Sequence, residues 1–418
     1  CVYFIYIADL IGLEFQPCRQ ECFNVKSVLI IRVGSVLEIG VLGNVVLVRK
    51  KRTHTIHDSI GGVLFLMKRK ENALRLGFTF AGCYLGAGYV SGQELWQFFG
   101  CFGWQGIAGL LLAVALSFFF GVLLLRLVQR TGCDQTDALV IRRPIPLLRD
   151  AVGLLQLFFL FGILVIMAAG VGALFAQILG ASAFWCSAAF CLLVSLLSLT
   201  GTSGMVNVFS TVVPLLVICS VLVSALTLRR CGWQLTIAAV PSVSPLLSHW
   251  AIAACSFVSY NLFSSIGILA PVGKELRSRR TVWWGVLLGC IILISIALGI
   301  FLTMETLPTV VEAPLPMLAA AGALGGGWYY LYGVLLLCAM LGTALSCAVA
   351  LRHYCMVRFS TMANRRFSFV LLLAIPAWLC SLFGFGKLIG TVYPICGALG
   401  ALALLGLLHH RFTLRAPK

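Results

Sequence analysis

The stretch "GCYLGAGYVSGQELWQFFG", Gly82 to Gly100, decides how this chain reads. It lies in an apolar run long enough to cross a bilayer, yet it carries Gly82, Gly86, Gly88 and Gly92 and then a carboxylate, Glu94. A helix that only sits in lipid needs neither feature. Glycine tolerates unusual dihedrals, and in hydrocarbon each backbone group freed by unwinding must be satisfied by protein, water or ligand. A break at Gly86, Ala87 and Gly88 therefore implies a buried polar site. Unwound carbonyls suit a cation there, and the N-terminus of the following half-helix favours an anionic group. The pairs Gly82/Gly86 and Gly88/Gly92 also fit the small-xxx-small spacing of closely packed helices, so this stretch alone leaves both readings open. A dinucleotide loop does not fit, because the spacing is wrong and no strand precedes it.

Composition sets the class. Of 418 residues, 61% are hydrophobic and 10% charged, far more apolar than a soluble domain needs. Several windows of about 20 residues hold one charge or none, enough to span roughly 30 Å of hydrocarbon. The pattern predicts an all-α polytopic membrane protein; a β-barrel would alternate in short segments. The net charge of +17 resides in loops between apolar segments, which points to a cytoplasmic face rather than to nucleic acid. The 17 cysteines fall mostly singly inside apolar segments, with no CxxC pair. They read as small apolar side chains, and no metal site is expected.

The first methionine is Met67, opening "MKRKENALRLGFTF", a short basic lead before the first apolar segment. Residues 1–66 are expected to be a non-native or non-functional extension; the competing reading is an extra domain with a strand or helix around Val28 to Val48. From Met67 to about His410, ten apolar segments follow: Leu74–Phe99, Ile107–Val128, Ala151–Gln177, Phe184–Leu199, Met205–Leu228, His249–Pro271, Thr281–Met304, Trp328–Leu351, Phe367–Phe383 and Leu388–Leu408. The loops "RLVQRTGCDQTDALVIRRPIPLLRD", "GKELRSRR" and "RHYCMVRFSTMANRR", with the tail "HHRFTLRAPK", are basic. They place both termini in the cytoplasm by the positive-inside rule. Arg229 and Arg230 are exceptions, and Glu305 and Glu312 fall in an outer loop where a short helix can start at Pro316 and stop at the glycines.

The sixth segment tips the balance toward a site. Ser259-Tyr260-Asn261 and Ser264-Ser265 interrupt its apolar run, and Asn and Ser compete for backbone hydrogen bonds. The first and sixth segments open two consecutive blocks of five, about 74–228 and 249–408, and an odd block length inserts the second upside down. Interruptions at matching places of inverted halves point to a transporter's central site, so both helices are expected to be broken. In the eighth segment Thr343 and Ser346 share one helical face. With carbonyls from a broken first helix they would form a hard-oxygen shell for a small cation, although small residues there also suit plain packing. Glu94 is the one carboxylate well inside a predicted span, where ionisable groups carry protons, bind ions or line gates; snorkelling at the outer interface is its bland alternative.

"GAGYVSGQELWQFFG" is similar to the signature of the YkvI-type membrane proteins, which resemble the amino acid–polyamine–organocation superfamily. "SYNLFSSIGILAPVGKELRSRRTVWWGVLLG" resembles that superfamily's sixth helix and following basic loop, with Glu275 as its acid. The resemblance implies a LeuT-like five-plus-five inverted repeat. It places Gly86, Ala87 and Gly88 in the unwound part of the first helix, and Ser259, Tyr260 and Asn261 in that of the sixth. Thr343 and Ser346 fall near the sodium-site hydroxyls of sodium-coupled relatives, where the two are adjacent rather than three apart. No catalytic constellation is present. The expectation is a secondary transporter of a small solute, an amino acid or related organic ion, driven by Na+ or H+ without a cofactor. The rival is a ligand-sensing receptor subunit, a role known among superfamily relatives.

Overall fold

The computed structural model describes residues 28–33, 37–42, 45–50, 73–133, 135–142, 145–200, 205–232, 244–276, 278–358 and 366–413. The chain divides into two compact units, Cys1–Lys70 and Glu71–Lys418. In the first, β1 (Val28–Val33), β2 (Leu37–Leu42) and β3 (Val45–Lys50) form an antiparallel meander. Val28 and Val45 both pair with Leu42 from opposite sides. These Val- and Ile-rich runs have the composition of strands. The rest of residues 1–66 lies outside the described residues.

Among the described residues the second unit holds helices and no strand, and its longer helices fall on the apolar segments. The first is in pieces: residues 73–84, then Ala87–Val90 and Gln93–Phe98. The others are Trp104–Thr131, Pro146–Leu179, Ala183–Leu197, Met205–Cys231, Trp250–Glu275, Arg279–Thr306, Gly326–Arg358, Arg366–Ser381 and Phe385–Thr413, hereafter helices two to ten. Seven are long and apolar enough to cross a membrane. A short helix, Pro316–Leu324, sits between helices seven and eight and stops at Gly325. Large aliphatic and aromatic side chains such as Phe119, Leu154, Ile291 and Leu402 are exposed on the bundle's outside, the surface expected of a protein whose solvent is lipid.

The sixth segment corrects an expectation. It was expected to break at Ser259, Tyr260 and Asn261, but Trp250–Glu275 is one continuous helix. The polar side chains bond back along their own helix instead of unwinding it. Ser259 Oγ donates to the Cys255 carbonyl at 2.6 Å, Asn261 Nδ2 to Phe257 at 3.1 Å, and Ser265 Oγ to Asn261 at 2.6 Å. Such i to i−4 bonds satisfy a buried hydroxyl or amide without a helix break. Helix ten packs against it at near backbone contact. A Cβ on Gly400 would lie 2.8 Å from the Ser259 carbonyl, and one on Gly397 would overlap the Ser256 hydroxyl.

Candidate functional site

The site is built around the interruption of the first helix. Leu85 and Gly86 are non-helical, and Gly86 is extended at φ −74°, ψ 170°. One turn later the chain bends again at Gly92, whose φ of +85° is left-handed and suits glycine. Neighbouring elements satisfy part of the freed backbone. The Tyr332 hydroxyl of helix eight donates to the Val90 carbonyl at 2.7 Å and meets Ser220 Oγ of helix five at 3.0 Å. The Met317 N–H of the short helix Pro316–Leu324 donates to the Ser91 carbonyl at 2.9 Å. Ser91 Oγ donates to the Gly88 carbonyl at 3.0 Å. Among the described residues, the carbonyls of Gly82, Cys83 and Leu85 and the N–H groups of Ala87, Gly88 and Tyr89 have no such partner. Leu85, Ala87, Gly88 and Tyr89 are buried, and buried backbone groups are normally paired.

Glu94 comes from the next turn, Gln93–Phe98, and is 2% exposed. The Tyr260 hydroxyl of helix six donates to Glu94 Oε1, and the Asn261 side chain also interacts with this carboxyl. The other oxygen, Oε2, lies where Gly88 leaves room: a Cβ on Gly88 would stand 2.7 Å from it. The Tyr260 ring is stacked on Tyr393 of helix ten, 4.5 Å between centroids and 14° between planes. Phe98 and Phe257 flank it at 5.7 and 5.8 Å. Among the described residues Glu94 makes no ion pair; the pair seen is Arg149 with Asp137 at 4.0 Å. A buried carboxyl with a hydroxyl donor and no cation is costly, and such groups in membranes mark ion or proton paths.

Of the residues singled out from sequence, Gly88, Glu94, Tyr260 and Asn261 come together. Gly86 and Ala87 form the break itself. Ser259 does not join them: its hydroxyl stays on its own helix and its carbonyl faces Gly400. Thr343 and Ser346 are half-buried on helix eight, and Ser346 Oγ donates to Gly342 at 3.0 Å, which leaves its lone pairs as acceptors. The cavity beside the break, walled by Tyr84, Tyr89, Ser117 and Phe257, measures about 10 Å³, room for about one water. A solute would enter only with movement of these side chains or helices.

Sequence reasoning missed Tyr393, Tyr332 and Ser220. Their signal is a polar side chain in mid-span, weak in isolation and overt only when the partner helix is placed. It also put Glu305 in a loop. Glu305 belongs to the last turn of helix seven, 2% exposed, and its Oε1 has no hydrogen-bond partner among the described residues.

No family model matches the chain. It is similar to a protein of Bacillus subtilis (strain 168) named "Uncharacterized membrane protein YkvI", 28% identical over 342 residues, covering 81% of this chain and 96% of that one. A second relative from that strain, "Uncharacterized protein YyaD", is 26% identical over 350 residues, 78% and 93% of the two chains. Among solved structures, Mhp1 in its inward facing conformation superposes with a TM-score of 0.56 at 15% identity, over 82% of this chain and 77% of that one. MhsT in complex with L-phenylalanine gives 0.57 at 16% identity, over 81% and 92%. The membrane unit has the LeuT fold. The chain is thus a multi-pass membrane protein whose structural relatives are transporters rather than enzymes.

Proposed function

We propose that the protein is a secondary active transporter of a small solute, an amino acid or related organic ion, working by cation-coupled alternating access. All ten segments cross the bilayer in this reading, as two inverted blocks of five, with both termini in the cytoplasm. The solute is held at the break, by the unpaired N–H groups of Ala87 to Tyr89 and the polar atoms of Tyr260 and Asn261. The observation that carries the reading is Glu94: a buried carboxyl without a cationic partner, bonded to helix six across the break in helix one. Its charge is the natural site for a coupling proton, since gain or loss of that proton changes what Tyr260 and Gly88 face. Sodium is the second candidate coupling ion. The unpaired carbonyls of Gly82, Cys83 and Leu85, together with the Thr343 and Ser346 hydroxyls, would offer the hard oxygens it prefers. MhsT, which shares the fold, was solved with L-phenylalanine, and this lends general support.

The test is uptake of a pooled, labelled amino-acid mixture into proteoliposomes under imposed proton or sodium gradients. Accumulation above empty liposomes under one gradient supports transport and names the ion. With folding and orientation verified, absence of accumulation under both turns the reading toward a ligand-sensing subunit or another class of solute.

A further inference from the structure

A second site lies far from the break, at the end of the bundle where helix ten finishes and helix three begins. A groove of about 500 Å³ opens there, within the ~300–1,000 Å³ range of small-ligand sites. Its walls are aliphatic: Val140, Ile141, Ile145 and Leu148. Its rim carries Arg142, His409 and Thr413. The groove is firmly built. The short helix Thr136–Val140 is tied to helix ten by a 2.8 Å hydrogen bond between His410 Nδ1 and the Leu139 carbonyl. Gly406 admits the Val140 backbone, since a Cβ there would lie 2.8 Å from the Val140 carbonyl.

Charge completes the description. Asp137, the acid on the short helix, is already paired with Arg149 at 4.0 Å. Arg142 is exposed and, among the described residues, makes no ion pair. Thr413 Oγ1 spends its proton on the His409 and His410 carbonyls, at 3.0 and 2.9 Å. The donors at the rim are therefore the Arg142 guanidinium, which is charged, and the His409 ring. A soluble anion has no use for four aliphatic walls, and a neutral acyl chain has none for an unpaired guanidinium. One molecule needs both, at the depth where spanning helices end: a phospholipid with an anionic headgroup.

We propose that this groove binds one anionic phospholipid, its phosphate at Arg142 and His409 and an acyl chain along Val140, Ile141, Ile145 and Leu148. The proposal rests on the groove and the membrane fold, not on transport. The test is native mass spectrometry of the purified full chain, exchanged into equal mixtures of phosphatidylglycerol and phosphatidylcholine. Wild type should retain one phosphatidylglycerol at least about fivefold over phosphatidylcholine, the preference that one basic side chain gives. Arg142→Gln should bring that ratio near one, and Leu148→Trp, an exposed position filling the groove, should remove the bound lipid of either kind. Equal retention of both lipids by wild type overturns the proposal. So does a preference left intact in both variants, which would locate the lipid elsewhere. A groove that takes inorganic phosphate, seen as displacement of mass adducts, and retains no lipid would be a free-anion site and equally refutes it.

Discussion

Tyr260→Phe isolates the hydroxyl that joins helix six to the break. The ring keeps its stack on Tyr393 and its contacts with Phe98 and Phe257, so packing is nearly unchanged and one hydrogen bond to Glu94 is lost. Leaving a buried acceptor without its donor costs about 1–3 kcal/mol. For the ~350-residue helical unit, an unfolding entropy of about 2.1 cal/mol/K per residue turns this into a fall in Tm of roughly 1.5–4 °C. Glu94→Gln keeps an acceptor for the Tyr260 hydroxyl and should cost less stability, while abolishing uptake driven by a proton gradient. In a Glu94→Leu background, where the acceptor is gone, Tyr260→Phe should cost clearly less than alone, giving a coupling energy of about 1 kcal/mol or more. Thermal unfolding of these proteins in one detergent, with initial uptake rates in proteoliposomes, measures both quantities. Strict additivity, or an unaltered Tm and rate in Tyr260→Phe, would show that the pair does not link the two helices.

Further expectations concern the backbone around the site. Gly88→Ala places a Cβ 2.7 Å from Glu94 Oε2 and forces the carboxyl to move, so initial uptake should fall about tenfold, an effect of about 1.4 kcal/mol. Gly86→Ala meets nothing within 4 Å and should change the rate less than twofold in the same assay. Tyr332→Phe removes the donor to the Val90 carbonyl and should lower Tm by roughly 1.5–4 °C, for a loss of about 1–3 kcal/mol. Ser259→Ala removes a bond made within its own helix and should stay within about 0.5 kcal/mol of wild type in the same melt.

Segment positions were legible because lipid demands long apolar runs, and chain ends of such runs are marked by Arg, Lys and Gly. The polar interruption of segment six was legible as polarity and misleading as geometry. Ser and Asn can either compete with a helix or bond back into it, and the choice rests on neighbours that sequence does not display. Here the close approach of helix ten at Gly397 and Gly400 leaves no space for an unwound backbone. Glu94 was visible as an ionisable group in a span, but its donor lies 166 residues away, and nothing in either stretch names the other. Glu305 was misplaced because the helix continues two residues beyond the last apolar side chain of its segment, to Thr306.

The seam between helices six and ten bears on how such a molecule could change shape. Three successive points on helix six, at Ser256, Ser259 and Tyr260, meet Gly397, Gly400 and Tyr393 of helix ten. Where backbones touch, sliding by a fraction of a turn drives carbonyls into one another, so the pair is a rigid beam rather than a bearing. Any hinge or shear plane must then run outside it. Helix ten would travel with helix six, and the Tyr260–Tyr393 stack would move as one piece with the hydroxyl that holds Glu94.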